Sequence, residues 1–240
     1  MPEVLDQTLL NLAVANRILE REGVVDAFGH ASVRHPDNPD RYILSQSRSP
    51  GIVSRADLME FTLDNEPVDR RDRPVYVERP IHGGIYESRP DVMSVIHNHS
   101  FSVIPFGVTG VPLRQIVHVA GGIGGEVPVW DIRKKFGDTN LLVTTREQGL
   151  DLAAALGGGN VALMRGHGCV VAAESLERAV LLAIYLEANA RILLNALQLG
   201  GDVVALSPGE IEQTTAMTAM PLVAARTWDY WRARANLDGI

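Results

Sequence analysis

Residues 92–99 read Val-Met-Ser-Val-Ile-His-Asn-His, an apolar run that ends in two alternating histidines. The pattern predicts a β-strand, and alternate side chains of a strand point the same way, so His97 and His99 can present two imidazoles to one point. A third histidine, His167, lies between two glycines in Arg165-Gly166-His167-Gly168. A His-X-His pair with one distant histidine is a common way to build a three-nitrogen site for a divalent metal. The sequence therefore predicts a metal centre at the end of this strand.

A carboxylate further upstream can reach the same point. Glu78 precedes Pro80, and proline suits the first turn of a helix. The sequence predicts that this helix ends near Arg89. Glu78 then lies at the N-terminal edge of this helix, where the helix dipole favours an ionised carboxylate. Three histidines with one glutamate indicate metal-assisted carbon chemistry. The isolated histidines His35, beside a turn, and His82, inside the predicted helix, are interpreted as structural residues.

Length and composition restrict the class of protein. A chain of 240 residues, 46% of them hydrophobic, fits one large domain, which we predict over residues 1–240. The net charge of −7 argues against a broad surface for nucleic acid. The single cysteine, Cys169, excludes an intrachain disulfide and is interpreted as a small buried residue, with a reactive thiol as the alternative. Because neither a signal-peptide pattern nor an apolar stretch of ~20 residues is found, we expect a cytoplasmic protein with no membrane partner.

Hydrophobic periodicity predicts the elements around the histidines. Helices are predicted over about five turns ending at Gly23, from Pro80 to Arg89, and over 176–199 and 208–235. Strands are predicted over 31–34, 42–44, 58–63, 92–99, 127–130, 161–164 and 169–172, with His167 in the tight turn between the last two. This arrangement predicts the α/β class, as a three-layer α/β/α domain with a central, mainly antiparallel sheet.

The stretch from Gly29 to about Asn195 resembles the class II aldolase/adducin family, which includes fuculose-phosphate aldolase and ribulose-phosphate epimerase. The matching pieces are Gly-His-Ala-Ser-Val-Arg at 29–34, the spacing from Glu78 to His82, Ser-Arg-Pro-Asp at 88–91 leading into His97-Asn98-His99, and Gly166-His167-Gly168. The resemblance implies a class II aldolase-like fold. It also implies that His97, His99 and His167 bind a divalent ion, with Glu78 as acid/base beside it. Zinc or manganese is the expected ion, with cobalt and iron as alternatives.

The resemblance has a consequence for assembly, because the family is commonly a C4 homotetramer. It implies a homo-oligomer, a tetramer or a multiple of it, with the active site near a subunit interface.

The positions that hold phosphate in the sugar-phosphate aldolases of this family are altered here. Those enzymes have hydroxyl-bearing residues directly before the glutamate, where this chain has Tyr-Val at 76–77. They have an asparagine at the position of His30, and a Ser-Gly pair where this chain has Gln-Ser-Arg at 46–48. His118 stands where fuculose-phosphate aldolase has a tyrosine that donates a proton. The differences predict a substrate without phosphate and argue against aldol cleavage.

Groups suited to carboxylates replace the phosphate site. The predicted substrate-binding residues are His30, Ser47, Arg48 and Arg79, and His118 is predicted to act with Glu78 as an active-site acid or orienter. The arginine fork matches the two oxygens of a carboxylate, which favours a planar acid over a neutral sugar. Two alternatives stay open, a surface ion pair at Arg79 and an ordinary mobile turn around Arg48. The glycine-rich segment 120–125 closely follows His118, and the alternative to an active-site role is a loop packed at a subunit contact. The segment lacks the pattern of a nucleotide-binding loop.

Two segments, 78–82 and 103–110, resemble the family members that decarboxylate hydroxylated aromatic dicarboxylates, such as 3,4-dihydroxyphthalate. We therefore predict a divalent-metal-dependent carbon-carbon lyase. Its most favoured form is a non-oxidative decarboxylase whose substrate is a small hydroxylated aromatic acid. The alternative is a class II aldolase that cleaves a hydroxy-keto acid or a sugar or sugar-phosphate derivative. A non-catalytic adducin-like interaction module is disfavoured, because this chain retains the three histidines and the glutamate.

Overall fold

The computed structural model describes residues 2–240, which form one mixed sheet and helices on both of its faces. The strands are β1 (His30–Arg34), β2 (Arg41–Ser45), β3 (Leu58–Thr62), β4 (Ser94–Asn98), β5 (Val129–Trp130), β6 (Val161–Met164) and β7 (Gly168–Ala173). The α-helices are α1 (Pro2–Arg21), α2 (Pro80–Ser88), α3 (Ile104–Val108), α4 (Arg133–Phe136), α5 (Arg146–Leu156), α6 (Leu176–Gln198), α7 (Pro208–Thr218) and α8 (Pro221–Arg234). Short 3-10 helices occupy Pro50–Ile52, Arg55–Asp57 and His118–Ile123.

The sheet has the order β3-β2-β1-β4-β7-β6-β5. Every neighbouring pair is antiparallel except β5 and β6, which are parallel. The prediction of a mainly antiparallel sheet is thus confirmed. β4 lies at the centre, where His97 is paired with His30 of β1 on one side and Val170 of β7 on the other. Of the predicted metal ligands, His97 therefore lies in a fully buried central strand.

Two hydrophobic cores lie on opposite faces of the sheet. Successive side chains of a strand point to opposite faces, and on β4 the side chain of Ile96 belongs to one core while that of Val95 belongs to the other. The first core is covered by α1, α6 and α8, and the second by α2 and α5. The predicted three-layer α/β/α architecture is confirmed. His97 has the same parity as Val95, so its side chain lies on the face that α2 covers.

The close approach of α2 and α5 depends on two glycines. A Cβ at Gly84 would overlap the backbone of Gly149, and a Cβ at Gly149 would overlap the carbonyl oxygen of Pro80. Helix α5 was not predicted from the sequence, although Thr145 and Gln148 form the capping box that signals its start. Because Glu78 lies two residues before α2, this contact helps to fix the position of its carboxylate.

Some element boundaries differ from those predicted. The helix predicted over 208–235 is wrong, because the chain breaks into α7 and α8 at Met220, which is extended (φ −62°, ψ 133°). Pro221 explains the break, since proline disfavours helical backbone at the preceding residue and has no N–H to donate. Strand β4 begins at Ser94 and ends at Asn98, so His99 lies one residue beyond the strand.

The helix α6 alone, among helices of residues 2–240, is long and apolar enough to cross a membrane. The most apolar 18-residue stretch of this helix has a mean hydropathy of 1.5, but half of that stretch is buried inside the protein. Its residues Leu182, Leu186 and Leu193 are part of the first core. The helix α6 therefore packs as a core helix of this domain.

We expect Gly149→Ala to destabilise the protein by about 1–3 kcal/mol, because the added methyl group forces α5 away from α2. Urea unfolding measures the change. Gly158→Ala is the matched control, since a Cβ there meets no atom within 4 Å. Equal stability of the two variants would show that the contact between the helices does not depend on this glycine.

Candidate metal centre and adjoining cavity

Four side chains that are distant along the chain converge at one end of β4. Glu78, His97, His99 and His167 each offer one ligand atom, and these atoms lie within 4.8 Å of one another. Glu78 comes from the segment before α2, the first two histidines from the end of β4, and His167 from the turn between β6 and β7. The structure thus brings together all four residues that the sequence singled out.

His97 is held in one tautomer by the sheet itself. Its Nδ1 lies 3.0 Å from the carbonyl oxygen of Cys169 on β7 and donates to it, because that oxygen can only accept. The lone pair of the neutral ring is then on Nε2, which faces Nε2 of His99 at 3.0 Å. A backbone carbonyl that orients a histidine ring in this way is typical of metal-ligating histidines.

His167 reaches the cluster because the turn before β7 approaches β4 very closely. A Cβ at Gly168 would overlap the carbonyl oxygen of Asn98, so only glycine fits there. Neither ring nitrogen of His167 has a hydrogen-bond partner among residues 2–240, although both are buried. Buried polar atoms are normally paired, and a metal ion would satisfy the nitrogen that faces the cluster. Three imidazoles and one carboxylate are a donor set that fits a divalent ion.

The carboxylate of Glu78 is ionised at neutral pH. Oε1 accepts a hydrogen bond from the N–H of Val143 at 2.9 Å, while Oε2 lies 3.5 Å from Nε2 of His167 and 3.7 Å from Nε2 of His97. Burial opposes ionisation, but these two rings and the Val143 N–H together lower the pKa of Glu78 to about 2. The side chain therefore begins as a base rather than as an acid.

His97 at the end of β4 and His99 just beyond it are neutral at pH 7. Burial lowers the pKa of His97 well below its usual value, and burial also lowers the pKa of His99. A neutral imidazole has a free lone pair, which is the form that ligates a metal.

A cavity of about 700 Å³ opens beside the cluster. Glu78, His99 and His167 form part of its wall. Apolar and aromatic side chains make up much of the rest: Phe28, Tyr76, Val77, Phe101, Ile104, Leu141 and Leu142. Phe28 and Phe101 stand at its rim, with 66% and 77% of their surfaces exposed. The cavity suits a flat ring with polar groups at its edge.

Three of the predicted substrate-binding residues line this cavity: His30, Ser47 and Arg48. The guanidinium of Arg48 is anchored at one end, because Nε donates to the carbonyl of Ile52 at 3.1 Å and Nη1 lies 3.3 Å from Oδ1 of Asp57. Tyr76 donates its hydroxyl to the backbone carbonyl of Arg48. The segment around Arg48 is therefore tied to the cavity wall rather than being a free turn.

Arg79 does not line the cavity. Its Nε donates to the carbonyl of Asn65 at 2.7 Å and its Nη1 to the carbonyl of Tyr76 at 3.1 Å. The structure thus corrects the expected substrate contact, because the guanidinium of Arg79 donates its hydrogen bonds to these two backbone carbonyls instead. Arg79 instead secures the loop that leads into α2.

His118 also lies outside the cavity of one chain. It is exposed at the start of the 3-10 helix His118–Ile123, which packs against α6 and α7. A role as acid or orienter at this site would require a neighbouring subunit, and the role stays a prediction.

Several cavity residues were missed by the sequence analysis. Phe28 lies two residues before His30 and Phe101 two residues after His99, so proximity along the chain was a usable signal. The segment 140–142 carried no such signal, because tertiary contacts bring it to the site, among them the bond from the Val143 N–H to Glu78 and the packing of Val143 in the second core.

Behind the cavity wall, His30 belongs to a buried polar group. Its Nδ1 is 2.6 Å from Nε2 of His82, whose Nδ1 is 2.7 Å from the hydroxyl of Ser32. That hydroxyl is 2.8 Å from the hydroxyl of Tyr86. Burial lowers the pKa of His82 to about 3 and that of His30 well below its usual value, so both rings are neutral. His82 is the structural histidine that its position in a helix indicated.

The chain is similar to several known proteins. A decarboxylase named tropJ from Talaromyces stipitatus is 35% identical, with 93% of this chain and 92% of that protein aligned. A 3,4-dihydroxyphthalate decarboxylase from Arthrobacter keyseri is 29% identical over 84% of each chain. Among solved structures, an L-fuculose 1-phosphate aldolase from Glaciozyma antarctica matches with a TM-score of 0.78 at 20% identity, over 95% of this chain and 88% of that one. That last likeness shows the shared fold.

The model of one protein family matches residues 11–194, which is most of the chain and includes every member of the four-residue cluster. The match, the fold and the relatives agree with one another. This protein belongs to the family of the class II aldolase and adducin N-terminal domain.

Proposed function

We propose that this protein is a divalent-metal-dependent carbon-carbon lyase that releases CO2 from a small hydroxylated aromatic acid such as 3,4-dihydroxyphthalate. The observation that carries the proposal is the position of the four-residue cluster, which forms one wall of a cavity with aromatic and apolar sides and a single arginine, Arg48. A planar ring fits between such walls, and a carboxylate suits the arginine. Two relatives with decarboxylase names, at 35% and 29% identity, support this choice of reaction.

The ion would be held by His97, His99 and His167, beside Glu78. Zinc or manganese suits three imidazoles, as do cobalt and iron. When bound, the ion supplies positive charge that stabilises the negative charge left as CO2 departs.

Glu78 is proposed to move the proton of the reaction. As a carboxylate it first accepts the proton of a ring hydroxyl. The bond from the ring to the departing carboxyl group then breaks, its electron pair stays on the ring carbon, and Glu78 returns the proton to that carbon. The ring oxygen regains a proton from solvent as the product leaves. Such proton transfer contributes about 10² to 10⁴-fold to the rate.

His30, Ser47 and Arg48 are proposed to orient the acid. Arg48 retains part of its fork for a carboxylate, since Asp57 contacts only one of its terminal nitrogens. A dicarboxylate offers one group to the reaction and the other as a handle. The exposed side chains of Phe28 and Phe101 at the cavity rim fit the expectation that a neighbouring subunit of a homo-oligomer adjoins the site. Each chain is proposed to form one domain, and the protein is proposed to act in the cytoplasm.

The proposed reaction is tested by incubating the purified protein, loaded with zinc or manganese, with 3,4-dihydroxyphthalate and related hydroxylated aromatic and pyridine dicarboxylates. We expect release of CO2 without an aldehyde, and loss of turnover after exhaustive chelation. A carbonyl fragment formed from a hydroxy-keto acid or a sugar derivative, without CO2, would favour the aldolase alternative instead.

Glu78→Gln is expected to lower kcat by at least about 10²-fold, because an amide cannot accept the proton. Substrate KM and metal content should stay close to those of the unchanged enzyme, since Gln keeps the size of the side chain and an oxygen for the Val143 N–H. Glu212→Gln, on the exposed face of α7, is the control. Full activity of Glu78→Gln would remove Glu78 from the proton transfer.

His99→Ala is expected to weaken metal binding by at least about 100-fold and to abolish turnover, because one of three nitrogen ligands is lost. Metal content after dialysis and calorimetric titration with zinc measure the effect. His35→Ala is the matched control, as His35 pairs with Glu60 rather than with the cluster. Equal zinc affinity in both variants would contradict the assignment of His99 as a ligand.

A further inference from the structure

An unbroken row of hydrogen bonds runs from the cavity into the protein interior through His30, His82, Ser32 and Tyr86. The geometry follows from two elements. On β1, His30 and Ser32 are two residues apart and point to the same face of the sheet. On α2, His82 and Tyr86 are four residues apart and lie above one another on the face that meets β1. All four side chains are at most 3% exposed.

The direction of these hydrogen bonds is set at the buried end. The hydroxyl of Tyr86 has the hydroxyl of Ser32 as its hydrogen-bond partner within residues 2–240, so the Tyr86 proton is donated there. Ser32 has one proton and two acceptors within reach, Nδ1 of His82 at 2.7 Å and the carbonyl of Val95 at 3.4 Å. The shorter contact is the better hydrogen bond, so Ser32 donates to His82.

The direction of the Ser32 hydrogen bond fixes the tautomers of both histidine rings. A neutral imidazole that accepts on Nδ1 carries its proton on Nε2. His82 therefore donates from Nε2 to Nδ1 of His30 at 2.6 Å. His30 then accepts on Nδ1 as well, and its own proton is on Nε2, on the side of the ring left for the cavity that His30 lines.

We propose that Tyr86, Ser32 and His82 are positioning residues that hold His30 as an Nε2–H donor, which hydrogen-bonds an anionic oxygen of the substrate. The opposite tautomer would direct a lone pair at that oxygen and repel it. The inference rests on the proposed function for the nature of the ligand, an aromatic acid. The tautomer itself follows from the contacts of the buried row.

The tautomer is measured directly by long-range proton-nitrogen NMR correlation in protein labelled with 15N-histidine, which distinguishes a protonated ring nitrogen from a bare one. We expect His30 and His82 to carry their protons on Nε2, with both signals assigned through His30→Gln and His82→Gln. A proton on Nδ1 of His30 in the unchanged protein would overturn the proposal. This spectrum decides the question even where a variant fails to fold.

Ser32→Ala removes the donor to His82, so we expect a mixture of tautomers at His30 in this variant. Tyr42→Phe is the matched control, because the ring of Tyr42 stacks 6.2 Å from that of His82 while its hydroxyl bonds to Asn65, outside the row. The control should keep the tautomer of the unchanged protein. A Ser32→Ala spectrum identical to that of the unchanged protein would overturn the role of Ser32.

Binding of 3,4-dihydroxybenzoate, an aromatic acid with the ring hydroxyls of the proposed substrate, tests the donor role without turnover. Because only the Nε2–H fraction of the tautomer mixture donates to the acid, Kd should rise about two- to tenfold in Ser32→Ala and stay unchanged in Tyr42→Phe. Equal Kd values would overturn the donor role. If no acid releases CO2 while His30 carries its proton on Nε2, the proposed function fails and the positioning of His30 stands, so the two failures are distinguishable.

Discussion

The site depends on the contact between β4 and the turn that leads into β7. The backbone of Gly168 meets the carbonyl of Asn98 so closely that no side chain fits. This contact brings His167 to the end of β4, where His97 and His99 stand. The same strand pair supplies the carbonyl of Cys169 that fixes the His97 ring. One backbone approach therefore positions the third histidine and orients the first.

Electrostatics gives this geometry its preference for a cation. Burial keeps the rings of His97 and His99 uncharged, whereas Glu78 stays ionised with a pKa of about 2. The Glu78 carboxylate therefore places negative charge beside these uncharged rings in a largely buried place. Isolated buried charge is costly, and a divalent ion offsets it while using the nitrogens that lack partners. The cluster is thus suited to a cation by charge as well as by ligand type.

The sequence predicted the parts of the site that follow from local rules. Alternation along a strand located His97 and His99, and the paired apolar runs on either side of His167 located its turn. Other features needed tertiary structure. Arg79 follows Glu78 directly, yet its guanidinium turns to the carbonyl of Asn65, a contact that the loop conformation alone creates. Likewise, nothing local reveals that the segment before Val143 reaches the cavity, because contacts distant along the chain bring it there, including the hydrogen bond to Glu78 and the packing of Val143 in the core.

His30 and Arg48 differ in what they can contribute to recognition of an acid. Arg48 carries a full charge, but its side chain is 44% exposed and shared with Asp57, so solvent and the existing ion pair weaken its attraction. His30 is neutral and only 3% exposed, so solvent competes much less for the hydrogen bonds of its ring. A ligand that leaves such a donor unpaired loses more than the hydrogen bond itself, because the desolvated N–H then has no partner. For the proposed aromatic acid and the proposed Nε2–H tautomer, discrimination against a neutral ring would therefore depend more on the buried imidazole than on the charged arginine.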